Sequence, residues 1–334
     1  MEQPLQPIKP KKKQSLLPWS DYPFLCFAFS KTIRAPLEVI RIRYQCDNFL
    51  HQSGLIPSPY TSSWNCFRHT ISQEGKKTLW KGHAASLLMY LPDQLVENCL
   101  SNYIEKVENR LTYDMEHDGY IKWRAGQLVA DGVKGTITKT FTYSLDYAKT
   151  RLINDIGNKH YQNVIDVYRK TLSNHGFLGL YRGFYVSLSG MIIYKILHSV
   201  LEDILVGFLL ENPEKSTFLK FSLGILSMIL AGVLTTPLDT VKRRMMMASG
   251  DEEIKRGMIE WLKHIAKNEG VRGLFKGASF TAVITAASAA VLLPVFIICG
   301  FALIRMTIGN LLTTKEKIEM EVKEKDGEKK GEEK

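Results

Sequence analysis

The chain has 334 residues, a formal net charge of +10, and 45% hydrophobic against 23% charged residues, with a mean hydropathy of −0.10; overall composition alone would suit a soluble protein. Five cysteines, Cys26, Cys46, Cys66, Cys99 and Cys299, are odd in number, scattered and without a CxxC spacing. They read as free thiols and argue against a disulfide framework or a zinc site. The excess of bases does not point to nucleic acid, because lysine and arginine gather between and at the ends of apolar helices, where anionic headgroups or an anionic solute explain them better.

In chain order, residues 1–19 form a tail with Lys9, Lys11, Lys12 and Lys13 but no apolar core of a secretory signal, so targeting information is expected inside the chain. Long helices are predicted near 20–45, 83–110, 120–150, 184–210, 217–247 and 278–309. Short amphipathic segments near 62–73, 161–173 and 256–268 follow the odd-numbered helices and would lie on a membrane face. Residues 282–304 run without a charge, long enough to cross a bilayer. Other spans carry Lys31 and Arg34, then Asp131, Lys134 and Lys139, then Lys195, Glu202 and Asp203. Each charge at the centre of a membrane helix costs about 2.5–3.5 kcal/mol, so these side chains must face a bundle interior or a wet cavity. The lysine- and glutamate-rich segment 310–334 reads as a solvated tail.

Two patterns recur three times in the same order. The first is a proline or serine, an acid two residues later, and a base three beyond that: Pro36, Glu38 and Arg41; Ser144, Asp146 and Lys149; Pro237, Asp239 and Lys242. The second is a pair of glycines seven residues apart, the later one preceded by an aromatic residue and a base: Gly75 to Trp80, Lys81 and Gly82; Gly176 to Tyr181, Arg182 and Gly183; Gly270 to Phe275, Lys276 and Gly277. Linked patterns at a period near one hundred residues define a repeat architecture. The expected organisation is an all-α membrane protein of six transmembrane helices in three pseudo-repeats, 20–110, 111–210 and 211–309. Pro36 and Pro237 should kink their helices, whereas Ser144 should bend its helix less.

With both patterns in place, residues 20–309 resemble the mitochondrial carrier family. Its ADP/ATP carriers are the most similar branch, on the strength of the run from Lys242 to Met247, two bases and three methionines included, and of the stretches 30–32, 145–152 and 190–194. The resemblance implies an inner-membrane, multi-pass antiporter rather than an enzyme, exchanging an anionic solute by alternating access, with adenine nucleotide as first candidate. It also implies a matrix-side ring of ion pairs, Glu38 with Lys149, Asp146 with Lys242 and Asp239 with Arg41, braced by Gln45. The same pairs would equally clamp a static bundle.

For the substrate, the resemblance implies Lys31 as a phosphate cation and Gly190, Met191 and Tyr194 as a nucleobase surface, with Lys195 beside them. Two arginines of the ADP/ATP carriers are replaced here by Met89 and Ile284, which removes two bidentate phosphate contacts unless Arg34, Lys134, Lys139 or Lys195 compensates. Lys139, two turns before Asp146, is either a cation for the solute or an internal partner of a nearby carboxylate. The opposite gate of the family needs an acid and a base on each even-numbered helix. The matching positions read Asn102 and Glu105, Asp203 and Val206, and Phe296 and Cys299, so only Asp203 fits. These losses open an alternative, a non-transporting accessory subunit of a respiratory complex. Trp80, Lys81, Gly82, Tyr181, Arg182, Gly183, Phe275, Lys276 and Gly277 are expected, by the same resemblance, to hold cardiolipin phosphates at helix starts; tight turns with interfacial anchors are the plainer reading. No histidine spacing or acid pair suggests a metal, another cofactor or catalysis.

Overall fold

A computed structural model describes residues 21–96, 98–99, 119–209, 217–248 and 256–290. Both tails, the positions Asn102, Glu105, Phe296 and Cys299, and the later part of the sixth predicted span lie outside them. Every regular element among the described residues is helical. The first repeat supplies α1 (Asp21–Gln45), α2 (Asp47–Gln52), α3 (Ser63–Glu74) and α4 (His83–Leu88). The second supplies α5 (Tyr120–Asn154), α6 (Val164–His175) and α7 (Phe184–Leu209). The third supplies α8 (Thr217–Met247), α9 (Met258–Leu274) and α10 (Ala278–Ala290). α8 is long and apolar enough to cross a membrane by length and composition.

The second predicted span is locally irregular. Its hydrogen-bond ladder is interrupted at Met89, which keeps helical dihedrals, and resumes over 90–96, because Pro92 has no N–H for the carbonyl of Leu88 and its ring crowds it. The surface helices also start later than the sequence suggests. Ser62 caps α3 by accepting from the Asn65 N–H at 3.1 Å, and Asn163 caps α6 by accepting from the Asp166 N–H at 2.9 Å, each satisfying an otherwise orphaned donor.

The paired glycines explain their own spacing. Gly75, Gly176 and Gly270 take φ of 84°, 65° and 72° and interrupt the surface helices, a conformation that L side chains resist. Gly82, Gly183 and Gly277 have positive φ as well, and each presses its backbone on an odd helix of the next repeat. A Cβ on Gly82 would meet Ile153 at 3.2 Å, one on Gly183 would meet Met245 at 3.3 Å, and one on Gly277 would meet Arg41 at 3.0 Å. First packs on second, second on third and third on first, so the three repeats close into a ring.

Burial concentrates at that end of the bundle. Ile40, Leu50, Cys66 and Leu79 form one buried cluster, Tyr143, Tyr147, Val167 and Leu180 a second, and Val241, Trp261 and Ile265 a third. In each, a surface helix packs on the lower half of its odd-numbered helix. Outward-facing Tyr185, Ile121, Leu178 and Phe208 are instead 82–90% exposed, a distribution that suits an apolar surround. Cys46, Cys66 and Cys99 are free thiols.

Candidate functional site

The six motif charges meet at the closed end. Lys149 donates to Glu38, joining α5 to α1. Lys242 Nζ lies 3.3 Å from Asp146 Oδ2, joining α8 to α5. Arg41 Nη2 lies 3.3 Å from Asp239 Oδ2, joining α1 to α8. Gln45 Nε2 donates to Asp239 Oδ2 at 3.1 Å from one turn below Arg41. The motif period sets this up: acid and base three residues apart share a helix face, and the acid of each helix faces the base of its neighbour.

Arg243 belongs to the ring as well. Its Nη1 lies 2.8 Å from Asp146 Oδ1 and also donates to Thr150, and its Nε is 3.9 Å from Asp239. Lys242 reaches its own helix's Asp239 at 2.9 Å. The carboxylates of Asp146 and Asp239 are therefore each met by several cations, whereas Glu38 has Lys149.

A second tier lies two residues below the ring bases. Arg43 Nε donates to the Ile153 carbonyl at 2.9 Å, Arg151 Nη2 to the Ala248 carbonyl at 3.3 Å, and Arg244 Nε to the Gln45 carbonyl at 3.0 Å. Each arginine thus ties its repeat to the next. Arg43 is held by Glu74 through hydrogen bonds of 2.5 and 3.2 Å, and Arg244 by Glu269. The position equivalent to those two acids in the second repeat is His175. Sequence reasoning missed this tier, although the signal was there as a base two residues after each motif base and an acid just before two of the helix-breaking glycines.

Glu269 sits outside the long helices, and its titration is informative. Burial pushes its carboxyl up from an ordinary value near 4.5, but Arg244, with help from Asn48 and Lys276, overcomes this and holds it at about 2. A depressed carboxyl pKa contributes stability that is complete above pH 4.5 and is lost as pH falls through 2. Thermal melts of the purified protein between pH 5 and 2 should therefore slope downward, and Glu269→Gln should flatten part of that slope.

A third tier uses the bases of the glycine pattern. Lys81 donates to the Asp155 carbonyl and Arg182 to the Ala248 carbonyl. Lys276 instead reaches a carboxylate, Asp47, at 2.7 and 2.8 Å. The three receiving residues are equivalent, each nine positions after its motif acid. The aromatic partners are also placed: Trp80 Nε1 donates to the Thr32 carbonyl at 3.2 Å and Tyr181 Oη to the Thr140 carbonyl at 3.0 Å, while Phe275 is 37% exposed.

Above the ring lies a cavity of about 460 Å³ between α5, α7 and α8, lined by Lys139, Ser187, Gly190, Met191, Asp239 and Lys242 among others. The structure thus brings Gly190 and Met191 together with the ring. Tyr194 and Lys195 open on a neighbouring cavity of about 920 Å³ nearer the far end, where Tyr194 stacks on His198 and Lys195 Nζ lies 3.3 Å from Asp131. The ammonium of Lys31, on α1, lies 5.3 Å from the centre of the Phe27 ring. Ile284 is 8% exposed and Met89 occupies the turn in the second span. At the far end Asp203 accepts from Tyr120 at 2.8 Å and lies 3.4 Å from Arg124, joining α7 to α5 within one repeat.

The family profile described as "Mitochondrial carrier protein" matches residues 24–109, 123–213 and 213–303, one match per repeat. The chain belongs to the mitochondrial carrier family. Among its relatives, the "ADP,ATP carrier protein, mitochondrial" of Solanum tuberosum is 39% identical over 272 residues, covering 79% of this chain and 70% of the relative. The "ADP,ATP carrier protein 2, mitochondrial" of Zea mays is 38% identical over 276 residues with the same coverages. An "ADP/ATP translocase" of Thermothelomyces thermophilus is 38% identical over 272 residues, covering 79% of this chain and 85% of the relative. The carrier is a divergent relative of these proteins and, with its family, a protein of the mitochondrial inner membrane.

Proposed function

We propose that this carrier exchanges adenine nucleotides by alternating access through six membrane-spanning helices, in a conformation closed on the matrix side. The observation that carries the reading is the complete ring of inter-repeat ion pairs, Glu38 with Lys149, Asp146 with Lys242 and Asp239 with Arg41, beneath a cavity lined by Gly190 and Met191. Charges so placed hold a gate shut only while each has its partner, and a change of partners opens it. Lys31 would meet phosphate, and Gly190, Met191 and Tyr194 the nucleobase. The names of the relatives make ADP and ATP the first solutes to try.

Cardiolipin is proposed as the bound lipid at the helix starts after Gly82, Gly183 and Gly277. Because Lys81, Arg182 and Lys276 are engaged by protein acceptors, backbone N–H groups would supply most of the contact to its phosphates, with Trp80, Tyr181 and Phe275 at the lipid boundary. The test is uptake of labelled ADP against internal ATP in cardiolipin-containing liposomes, with a thermal melt confirming folding. Exchange above empty liposomes supports the reading. A folded but silent protein overturns it and favours the accessory role in a respiratory complex.

A further inference from the structure

We infer that Lys139, assisted by the Ser187 hydroxyl, is a specificity-determining anion contact that binds one phosphate of a solute bearing at least two. The inference rests on the exchange reading above and goes beyond it by naming the group that compensates for Met89 and Ile284.

Three observations converge on this corner. Lys139 lines the cavity of about 460 Å³ above the ring, yet among the described residues it makes no hydrogen bond or salt bridge. Of the carboxylates around it, Asp146 is engaged by Lys242 and Arg243 and Asp239 by Arg41, Lys242 and Gln45, while Asp93 lies within the field of both Lys31 and Lys139 without an ion pair to either. Lys139 thus holds no ion pair among the described residues while it lines the cavity, which favours a solute cation over an internal counter-ion. Ser187, on the same cavity wall, is 6% exposed and its Oγ has no hydrogen-bond partner among the described residues. A buried hydroxyl without a partner costs free energy that an acceptor oxygen in the cavity would recover.

Register supplies the reason for two phosphates. Lys139 stands seven residues before Asp146, and Lys31 stands seven before Glu38. They are the same position of successive repeats, two helical turns above the ring, while the third repeat has Gly232 there. Two ammonium groups at one level, on neighbouring odd-numbered helices, favour a ligand with two separated anionic groups over one with a single group. Of the other cations named as substitutes, Lys195 is engaged with Asp131 at 3.3 Å and Arg34 with Ser288 at 2.8 Å.

The test compares wild type with Lys139→Gln, Lys139→Arg and Ser187→Ala in cardiolipin-containing liposomes, measuring the half-saturating concentrations of ADP and of AMP in homo-exchange. Losing one charge-assisted contact should raise the ADP value roughly ten- to hundredfold in Lys139→Gln while AMP changes little. Lys139→Arg should restore most of the ADP affinity, and Ser187→Ala should show a smaller shift in the same direction. Equal effects on ADP and AMP, or a lower melting temperature with unchanged half-saturation, would mark Lys139 as structural and overturn the inference while leaving exchange intact. A folded wild type that exchanges neither nucleotide would overturn the exchange reading, and this assignment with it.

Discussion

Asp146→Asn is expected to abolish exchange and to lower folded stability by about 3–5 kcal/mol, the usual cost of removing one partner from a buried ion pair. Asp146 is 8% exposed and accepts from both Lys242 and Arg243. Its neutralisation leaves two buried cations facing each other with the charge of Asp239 alone between them. Glu38→Gln combined with Asp239→Asn should also silence transport and destabilise the fold, because Lys149 and Arg41 each lose their partner carboxylate. The check is a liposome exchange assay beside a detergent melt. Exchanging the charges of one pair, Glu38→Lys with Lys149→Glu, should recover part of both readouts. Full transport by the Glu38 and Asp239 double variant would show that these pairs clamp the bundle without gating it.

Lys276→Met should destabilise the protein by about 3–5 kcal/mol, and the equivalent Lys81→Met by about 1–3 kcal/mol. The two lysines occupy matching positions in their repeats, but their acceptors differ. Asp47 is fully buried and its carboxylate is gripped by Lys276 through both oxygens; burial already pushes that carboxyl up, and without the lysine it is an isolated buried acid. Lys81 leaves behind a carbonyl, while the Asp155 carboxylate keeps the N–H groups of His160 and Tyr161. Chemical melts of the two variants should preserve this order. A reversal would mean that the three bases contribute through lipid contact and not through their protein acceptors.

The sequence made the repeat and the odd-numbered helices legible because each depends on local period, a base three residues from an acid and a glycine seven from a glycine, while the pairing within the ring followed from the resemblance to the family. It did not make legible where a long side chain ends. Lys81, Arg182 and Lys276 look like lipid-facing bases in the sequence, and only the packing of each repeat on the next shows that their ammonium and guanidinium groups reach protein acceptors. Arg243 was hidden for the same reason, since a base beside Lys242 can face the ring or turn away from it, and helix rotation decides which. The turn at Met89 followed from Pro92 but was outweighed by the apolar run around it. The cavity corner was half visible: Lys139 stood out by register, but that Asp146 and Asp239 had no need of it depended on partners from three helices.

The bonds are shared unevenly among the three seams of the ring. Between the third and first repeats stand Arg41, Gln45 and the buried carboxylate of Asp47 held by Lys276; between the second and third, Lys242 and Arg243 both hold Asp146. Between the first and second, Lys149 on Glu38 is the sole ring pair, backed by carbonyl ties from Arg43 and Lys81. Fewest ion pairs among the described residues cross that last seam, so on the exchange reading proposed above the bundle would yield there as a wedge hinged on the third repeat and not as an iris. Such an opening would run between α1 and α5, the two helices that carry Lys31 and Lys139.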